Sequence, residues 1–222
     1  MLERILVGPM YTNCYIFSNG KKECIIIDPG DDSDEIVSRV SMLKMIPVAI
    51  ILTHGHFDHT AACGALKRIY QEKEIDLQIA IHSKDQNYLG KSGIKKNMET
   101  LLDLGLNPEE DDDKIFADLP RPTILLYAEY VIFDTGLVVI ETPGHTRGSI
   151  CLYSERDKLL FSGDTLFFQG IGRADLPGGN ETMLMESIHD KIMTLPPETR
   201  VFPGHGVATS IEREQKGNPF LR

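Results

Sequence analysis

The sequence predicts a layered α+β domain built on mixed β-sheet. Strand-like runs come in groups with helical patterns interspersed, where a purely parallel sheet would alternate the two. At 222 residues the chain is long enough for one domain with a sizeable core. Its 41% hydrophobic and 25% charged residues are those of an ordinary globular protein. A single domain spanning residues 1–222 is the expectation.

The first strands are expected at Arg4–Val7, Cys14–Ser18 and Cys24–Asp28, apolar or β-branched runs closed by Gly8-Pro9, Asn19-Gly20 and Pro29-Gly30 turns. Asp31-Asp32-Ser33 offers an N-cap, and Ile36, Val37, Val40 and Leu43 recur at helical spacing to about Lys44. Pro47 closes that connection, and Val48–Leu52 reads as a fully buried strand. A helix at Thr60–Tyr70, a strand at Gln78–Ile81 and a helical patch at Lys84–Leu89 follow. Lys91–Pro120 is the least determined stretch. It holds a short helical pattern at Met98–Leu104, stopped by Gly105, and an acidic run, Glu109–Asp113, that reads as a solvated loop. Strands recur at Ile124–Leu126, Tyr130–Phe133, Leu137–Thr142, Ser149–Tyr153 and Lys158–Ser162. A helix at Met183–Leu195, a strand at Arg200–Phe202 and a short helix at Thr209–Lys216 complete the order.

With 33 acidic and 23 basic side chains, the chain carries a formal charge of -10. That surplus argues against nucleic acid or an anionic membrane as partner, since both surfaces call for clustered Lys and Arg. No run approaches the roughly 18 apolar residues of a membrane span, and Glu3 and Arg4 interrupt the apolar N-terminus. Cys14, Cys24, Cys63 and Cys151 are scattered without a C-x-x-C pair, so a reduced, cytoplasmic setting is expected. Cys63 reads as a packing residue in the helix that follows His59.

The chemistry concentrates in Thr53-His54-Gly55-His56-Phe57-Asp58-His59, directly after the buried strand. Three of the seven histidines fall within six residues, with a carboxylate between them. Imidazole nitrogens and carboxylate oxygens are ligands for zinc and other borderline first-row metals. A loop at the end of a buried strand lets such groups converge and stay accessible. Alternation places His54 and His56 on one side of an extended loop, while Asp58 and His59, entering a helix, can point to a second centre. Further candidates are His145 in Thr142-Pro143-Gly144-His145, Asp164 in Ser162-Gly163-Asp164-Thr165 and His205 in Pro203-Gly204-His205-Gly206. Taken singly, each has a plain reading as a turn, a helix cap or a surface histidine. Together with the first motif they make seven candidate ligands, too many for one tetrahedral ion and accounted for by two ions sharing a ligand. His82, ending a strand, and His189, on the Met183–Leu195 helix, read as structural.

In these motifs the chain resembles the metallo-β-lactamase superfamily of metallohydrolases. The resemblance runs from Asn13-Cys14-Tyr15 and Asp28-Pro29-Gly30 through the His54–His59 motif, Pro143-Gly144-His145-Thr146, Gly163-Asp164-Thr165 and Gly204-His205-Gly206. Phe161–Phe167, Gly172–Gly179 and Asn218–Leu221 look like compact bacterial members of its glyoxalase II-like branch. The resemblance implies an αββα sandwich, two mixed sheets face to face with helices outside. It implies two divalent metal ions, zinc foremost, with iron or manganese as alternatives. His54, His56 and His145 would hold one ion, Asp58, His59 and His205 the other, and Asp164 would bridge them. The implied reaction is hydrolysis of a small-molecule thioester or related ester, such as an S-hydroxyacylglutathione, by a metal-bridging hydroxide. Asp58 would orient the hydroxide and Arg173 would contact the substrate. An Asp at position 164 also separates the chain from lactamase subclasses that place a Cys there. The chain departs from glyoxalase II proper in carrying Asp175 and Val207 where those enzymes carry Tyr, and only 17 residues follow His205.

Two other readings compete. Persulfide dioxygenases share the Gly172-Arg173-x-Asp175 stretch and the Asn-Pro ending, and hold a single iron through positions matching His54, His145 and Asp164. The Asn13-Cys14-Tyr15 start and the sequence after His59 look more like the hydrolases. A non-enzymatic metal-binding protein is the third reading, and the intact ligand set argues against it.

Overall fold

The computed structural model describes residues 1–105 and 119–221, so the acidic run at 109–113 lies outside the described residues. Six strands form a first sheet in chain order: β1 (Leu2–Val7), β2 (Thr12–Phe17), β3 (Glu23–Ile27), β4 (Ile46–Ile51), β5 (Gln78–His82) and β6 (Ile124–Leu126). β1, β2 and β3 pair antiparallel, and β3 through β6 pair parallel. The second sheet takes β7 (Val131–Ile132), β8 (Leu137–Glu141), β9 (Ile150–Ser154) and β10 (Leu159–Gly163). A small hairpin of β11 (Leu166–Phe167) and β12 (Gly170–Ile171) follows, before β13 (Arg200–Pro203) and β14 (Thr209–Ser210) return to that sheet. Its spatial order is β14-β13-β10-β9-β8-β7, with β10 and β13 parallel and the other pairs antiparallel.

Period-2 alternation then builds the layers. Tyr15, Phe17, Ile25, Ile27 and Ile51 point from the first sheet into a core shared with Ile150, Leu152, Leu159 and Phe161 of the second. Their neighbours Cys14, Ile16, Cys24, Ile26 and Ile50 point the other way, against helices α1 (Ser33–Met42) and α3 (Cys63–Glu72), with α2 (Phe57–Thr60) between them in the chain. α4 (Lys91–Asp103) adds Leu101 to that layer. On the far side, Cys151, Leu160 and Val201 of the second sheet pack on Ile192 and Ile211. Ile192 ends a π turn (Ile188–Ile192) that continues α5 (Glu181–Ser187), and Ile211 opens α6 (Ile211–Gly217). This is the αββα sandwich that the family resemblance implied. All four cysteines are buried, and Cys63 packs in the first helical layer.

Four local expectations need correction. Pro47 does not end a connection; it lies inside β4, where the pairing with β3 shifts register, a place that tolerates the missing N–H. The single helix expected at Thr60–Tyr70 is α2 and α3, broken where the Ala62 N–H donates to Pro29 O (3.1 Å). Asp32 occupies the N-cap position of α1 without capping it, because its Oδ2 accepts from Gly8 N (2.8 Å). Thr209–Ser210 is a strand rather than a helix start; α6 begins at Ile211, with Ser210 Oγ accepting from Arg213 N (3.3 Å).

Candidate metal centre

Strand direction brings the candidate ligands together. β3 and β4 are parallel, so Asp28 and the His54–His59 loop leave the first sheet at the same edge. β10 and β13 are parallel, and β8 lies two antiparallel steps from β10, so the loops bearing His145, Asp164 and His205 also share one edge. Asn13 and Tyr15 stitch the two edges together. Asn13 N donates to Gly204 O (2.7 Å), Asn13 Nδ2 to Pro203 O (2.8 Å) and Tyr15 Oη to Pro203 O (2.7 Å). The strand pair that opens the chain thereby fixes the loop of the last candidate ligand.

The side chains form two groups. His54, His56 and His145 are buried and converge, with His56 Nδ1 3.0 Å from His145 Nε2. Asp58, His59 and His205 form the second: Asp58 Oδ2 lies 3.2 Å from His205 Nε2 and 3.4 Å from His59 Nε2. The two ring nitrogens of that group are 3.3 Å apart. Asp164 sits between the groups, its Oδ2 3.7 Å from His145 Nε2 and 3.6 Å from His205 Nε2, and its Oδ1 3.5 Å from His59 Nε2. All seven residues expected from sequence meet at this edge.

Arg173 reaches the same cleft, but its guanidinium forms a two-pronged pair with Asp175 (2.7 and 2.8 Å). Its backbone carbonyl does something the sequence did not suggest: it accepts from His145 Nδ1 at 2.7 Å, leaving Nε2 toward the centre. His82 lies apart, its Nε2 2.8 Å from Glu141 Oε1 of the other sheet, and His189 lies on the π turn.

Two carboxylates escaped the sequence reading. Asp28, buried at a left-handed φ of 51°, accepts from Thr53 N (2.8 Å) through Oδ1. Its Oδ2 accepts from Thr53 Oγ1 (2.6 Å) and pairs with His59 Nδ1 (3.0 Å). Although Asp28 lies within ligand distance of His54 and His59, both oxygens are committed, so its role is to orient His59. Asp85, also buried, accepts from Gly55 N, Thr146 Oγ1 and Gly148 N, and burial raises its pKa. In the sequence Asp28 reads as the last residue of a strand before the Pro29-Gly30 turn, and Asp85 as part of the helical patch Lys84–Leu89. Thr12 adds a donor to Asp58 Oδ2 at 3.2 Å.

Charge in the centre is divided sharply. Burial, reinforced by neighbouring imidazoles, holds His54 and His56 well below the ordinary histidine range, so both are neutral. Burial opposes protonation of His59 as well, yet Asp58, Asp164 and Asp28 outweigh it and push His59 up to about 10. Burial would raise Asp58, but His59 and His205 hold its carboxyl well below the usual carboxylate range. The carboxylates therefore demand positive charge at this edge, and neutral imidazoles with ionised carboxylates are the ligating forms. Two ligands on a tetrahedral ion, each about 2.0–2.1 Å from it, stand about 3.3 Å apart. The separations of 3.0 to 3.7 Å bracket that value. His54 Nε2 and Asp164 Oδ1 are buried without a hydrogen-bond partner, a costly state that a cation relieves. The residues fit divalent metal.

Above the centre opens a cleft of about 500 Å³, floored by His56, Asp58, His145, Asp164 and His205. Its walls include Met10, Tyr11, Phe57, Phe167, Ile171 and Leu176. That volume suits a small molecule. Among the described residues no helix is long and apolar enough to cross a membrane.

An αββα sandwich carrying a His/Asp metal centre beneath a small-molecule cleft defines a metallohydrolase class. The family model of the metallo-beta-lactamase superfamily matches residues 7–205, and the chain belongs to that superfamily. It is similar to the probable metallo-hydrolase YqgX of Bacillus subtilis, 36% identical over 98% of this chain and 96% of that protein. It is also similar to the hydroxyacylglutathione hydrolase GloC of Haemophilus influenzae, 31% identical over 99% of this chain and 97% of that one. Among solved structures, BLEG-1 B3 metallo-beta-lactamase matches with a TM-score of 0.84 and 35% identity, covering 100% of this chain and 99% of that one. TTHA1623 in a di-iron-bound form matches with a TM-score of 0.81 and 32% identity, over 99% and 100%.

Proposed function

We propose that the chain is a dinuclear metallohydrolase that cleaves small thioesters of the S-hydroxyacylglutathione kind. The observation that carries this is Asp164, whose two oxygens face both ligand groups at once, within 3.5 to 3.7 Å of His59, His145 and His205. The second group is assembled as closely as the first, which supports two ions over the single iron of a dioxygenase. Relatives support hydrolysis and, at 31% identity, a glutathione thioester as substrate class. Zinc and iron both suit the ligand set, and iron is what the TTHA1623 structure holds.

His54, His56 and His145 would hold one cation, Asp58, His59 and His205 the other, with Asp164 shared. Bound there, divalent cations supply Lewis acidity and lower the pKa of water toward neutrality. The chain's own residues supply the rest. Asp58, kept ionised and steered by Thr12, accepts a hydrogen bond from the attacking water and aims it at the carbonyl carbon. The apolar walls receive the acyl and thiol portions and exclude bulk water from the bond being cut. Arg173 stands at the rim, where release from Asp175 would let it meet a carboxylate of the thiol half.

Metal analysis paired with S-lactoylglutathione turnover tests the proposal. Two ions per chain with thioester cleavage support it, while one iron with oxygen uptake on glutathione persulfide replaces it by the dioxygenase. Likeness to the BLEG-1 structure favours a second hydrolytic reading, opening of a β-lactam amide. A cephalosporin assayed in parallel decides between them by the ratio of kcat/KM values.

A further inference from the structure

Behind the His54, His56 and His145 group, one buried carboxylate reaches both loops that carry it. We infer that Asp85 is a positioning residue for this half of the centre, locking the His54–His56 loop to the His145 loop so that their imidazoles converge. The inference rests on the two-group metal reading above.

Asp85 lies in the 3₁₀ turn Ser83–Tyr88 that directly follows β5. Its Oδ2 accepts from Gly55 N at 3.1 Å and from Thr146 Oγ1 at 2.6 Å, and its Oδ1 accepts from Gly148 N at 2.8 Å. Gly55 is the residue between His54 and His56, and Thr146 and Gly148 belong to the loop that starts at His145. One side chain thus ties ligand loops from opposite sheets. Since the carboxylate takes the Thr146 hydroxyl proton, Ser149 Oγ, which accepts from Thr146 N (3.0 Å), is left to donate to Thr146 Oγ1 (2.7 Å).

Tyr88, three residues on and therefore on the same side of a 3₁₀ turn, completes the bracket. Its ring meets His56 edge-on at 5.6 Å, and its hydroxyl donates to Pro177 O at 3.3 Å. The sequence has cleared space for both side chains. A Cβ on residue 55 would lie 2.3 Å from Tyr88 Cδ2, and one on residue 148 would lie 2.7 Å from Asp85 Cγ, so only glycine allows the approach. The other half of the centre is held by different residues, Asp58 by Thr12 and His59 by Asp28. Loss of Asp85 should therefore be felt on one side only.

The test is a Co²⁺ titration of the metal-stripped full chain against a competing chelator, followed by the visible spectrum of the bound ion. His56→Ala and His205→Ala assign the two binding steps. Asp85→Ala is expected to weaken the step that His56→Ala abolishes by about 10–100-fold, leaving the other within about twofold. Asp85→Asn keeps one acceptor oxygen and Thr146→Val removes one donor; each should weaken the same step by less. Should Asp85→Ala fail to fold, these two variants decide by the same criterion. Equal weakening of both steps, or wild-type affinity at both, overturns the inference. A wild-type chain with fewer than two steps overturns the underlying metal reading, and this inference with it, so the two failures are told apart.

Discussion

Replacing Asp28 tests how the fold aims a ligand it does not itself supply. Asp28 serves three donors: Thr53 N at 2.8 Å, Thr53 Oγ1 at 2.6 Å and His59 Nδ1 at 3.0 Å. In Asp28→Ala the Thr53 hydroxyl can turn to His54 Nδ1, 3.1 Å away, so two buried donors are stranded. At about 1–3 kcal/mol for each, the metal-free protein should lose about 2–6 kcal/mol. Alanine at the φ of 51° adds about 1 kcal/mol more. Asp28→Asn tolerates that backbone and keeps an acceptor for Thr53 N, but it sets an amide NH₂ against His59 Nδ1. It should lose about 1–3 kcal/mol, with one donor stranded. It should also weaken the metal step assigned to Asp58, His59 and His205 by about 10–100-fold, because His59 loses its tautomer and aim. Urea unfolding of the stripped protein and a metal titration measure the two effects. An Asp28→Asn chain with the wild-type midpoint and wild-type metal affinity would show that Asp28 neither anchors Thr53 nor aims His59.

Other contacts carry three further outcomes. In the stripped protein, protonated His59 stabilises the fold fully below the unfolded histidine value of about 6.5, and this is lost as pH rises through about 10. Neutral His54 and His56 act oppositely, their contribution being lost as pH falls below about 6.5. Urea midpoints of the stripped chain should therefore drop on the alkaline side and recover there when divalent metal is added; a flat alkaline limb contradicts the charge assignment. Asp175→Ala should free Arg173 and lower KM for a glutathione thioester about twofold to fivefold, the worth of an exposed pair, with no change for an uncharged thioester. Phe161→Ala, at the contact of Tyr15, Phe17 and Phe202 between the sheets, should cost about 3–5 kcal/mol in urea unfolding while metal stoichiometry holds.

The candidate ligands were legible where chemistry is written into contiguous sequence. His54, His56, Asp58 and His59 stand within six residues, the first two in an extended loop and the last two in α2, which turns the pairs toward different groups. His145, Asp164 and His205 were legible because each follows a strand, and strand direction is what carries them to one edge. The roles of Asp28 and Asp85 were not, since an Asp at a strand end before Pro-Gly or in a short helical patch has a local explanation, and its true partners lie 25 to 63 residues away. Helix boundaries failed for a similar reason. The break between α2 and α3 is set by Pro29, a residue of another loop, and the β11–β12 hairpin consists of two-residue strands too short to show a period. Arg173 illustrates the remaining gap: its position was readable, but its commitment to Asp175 and its carbonyl's hold on His145 are properties of the folded loop.

The number of ions bound per chain, in the wild type and in Asp164→Ala, decides whether Asp164 joins two metal sites. Two divalent ions are expected per wild-type chain, at most one in Asp164→Ala, and thioester cleavage in the first only. A wild-type chain saturating at a single ion, or an Asp164→Ala chain that keeps both ions and full turnover, would contradict that bridging role.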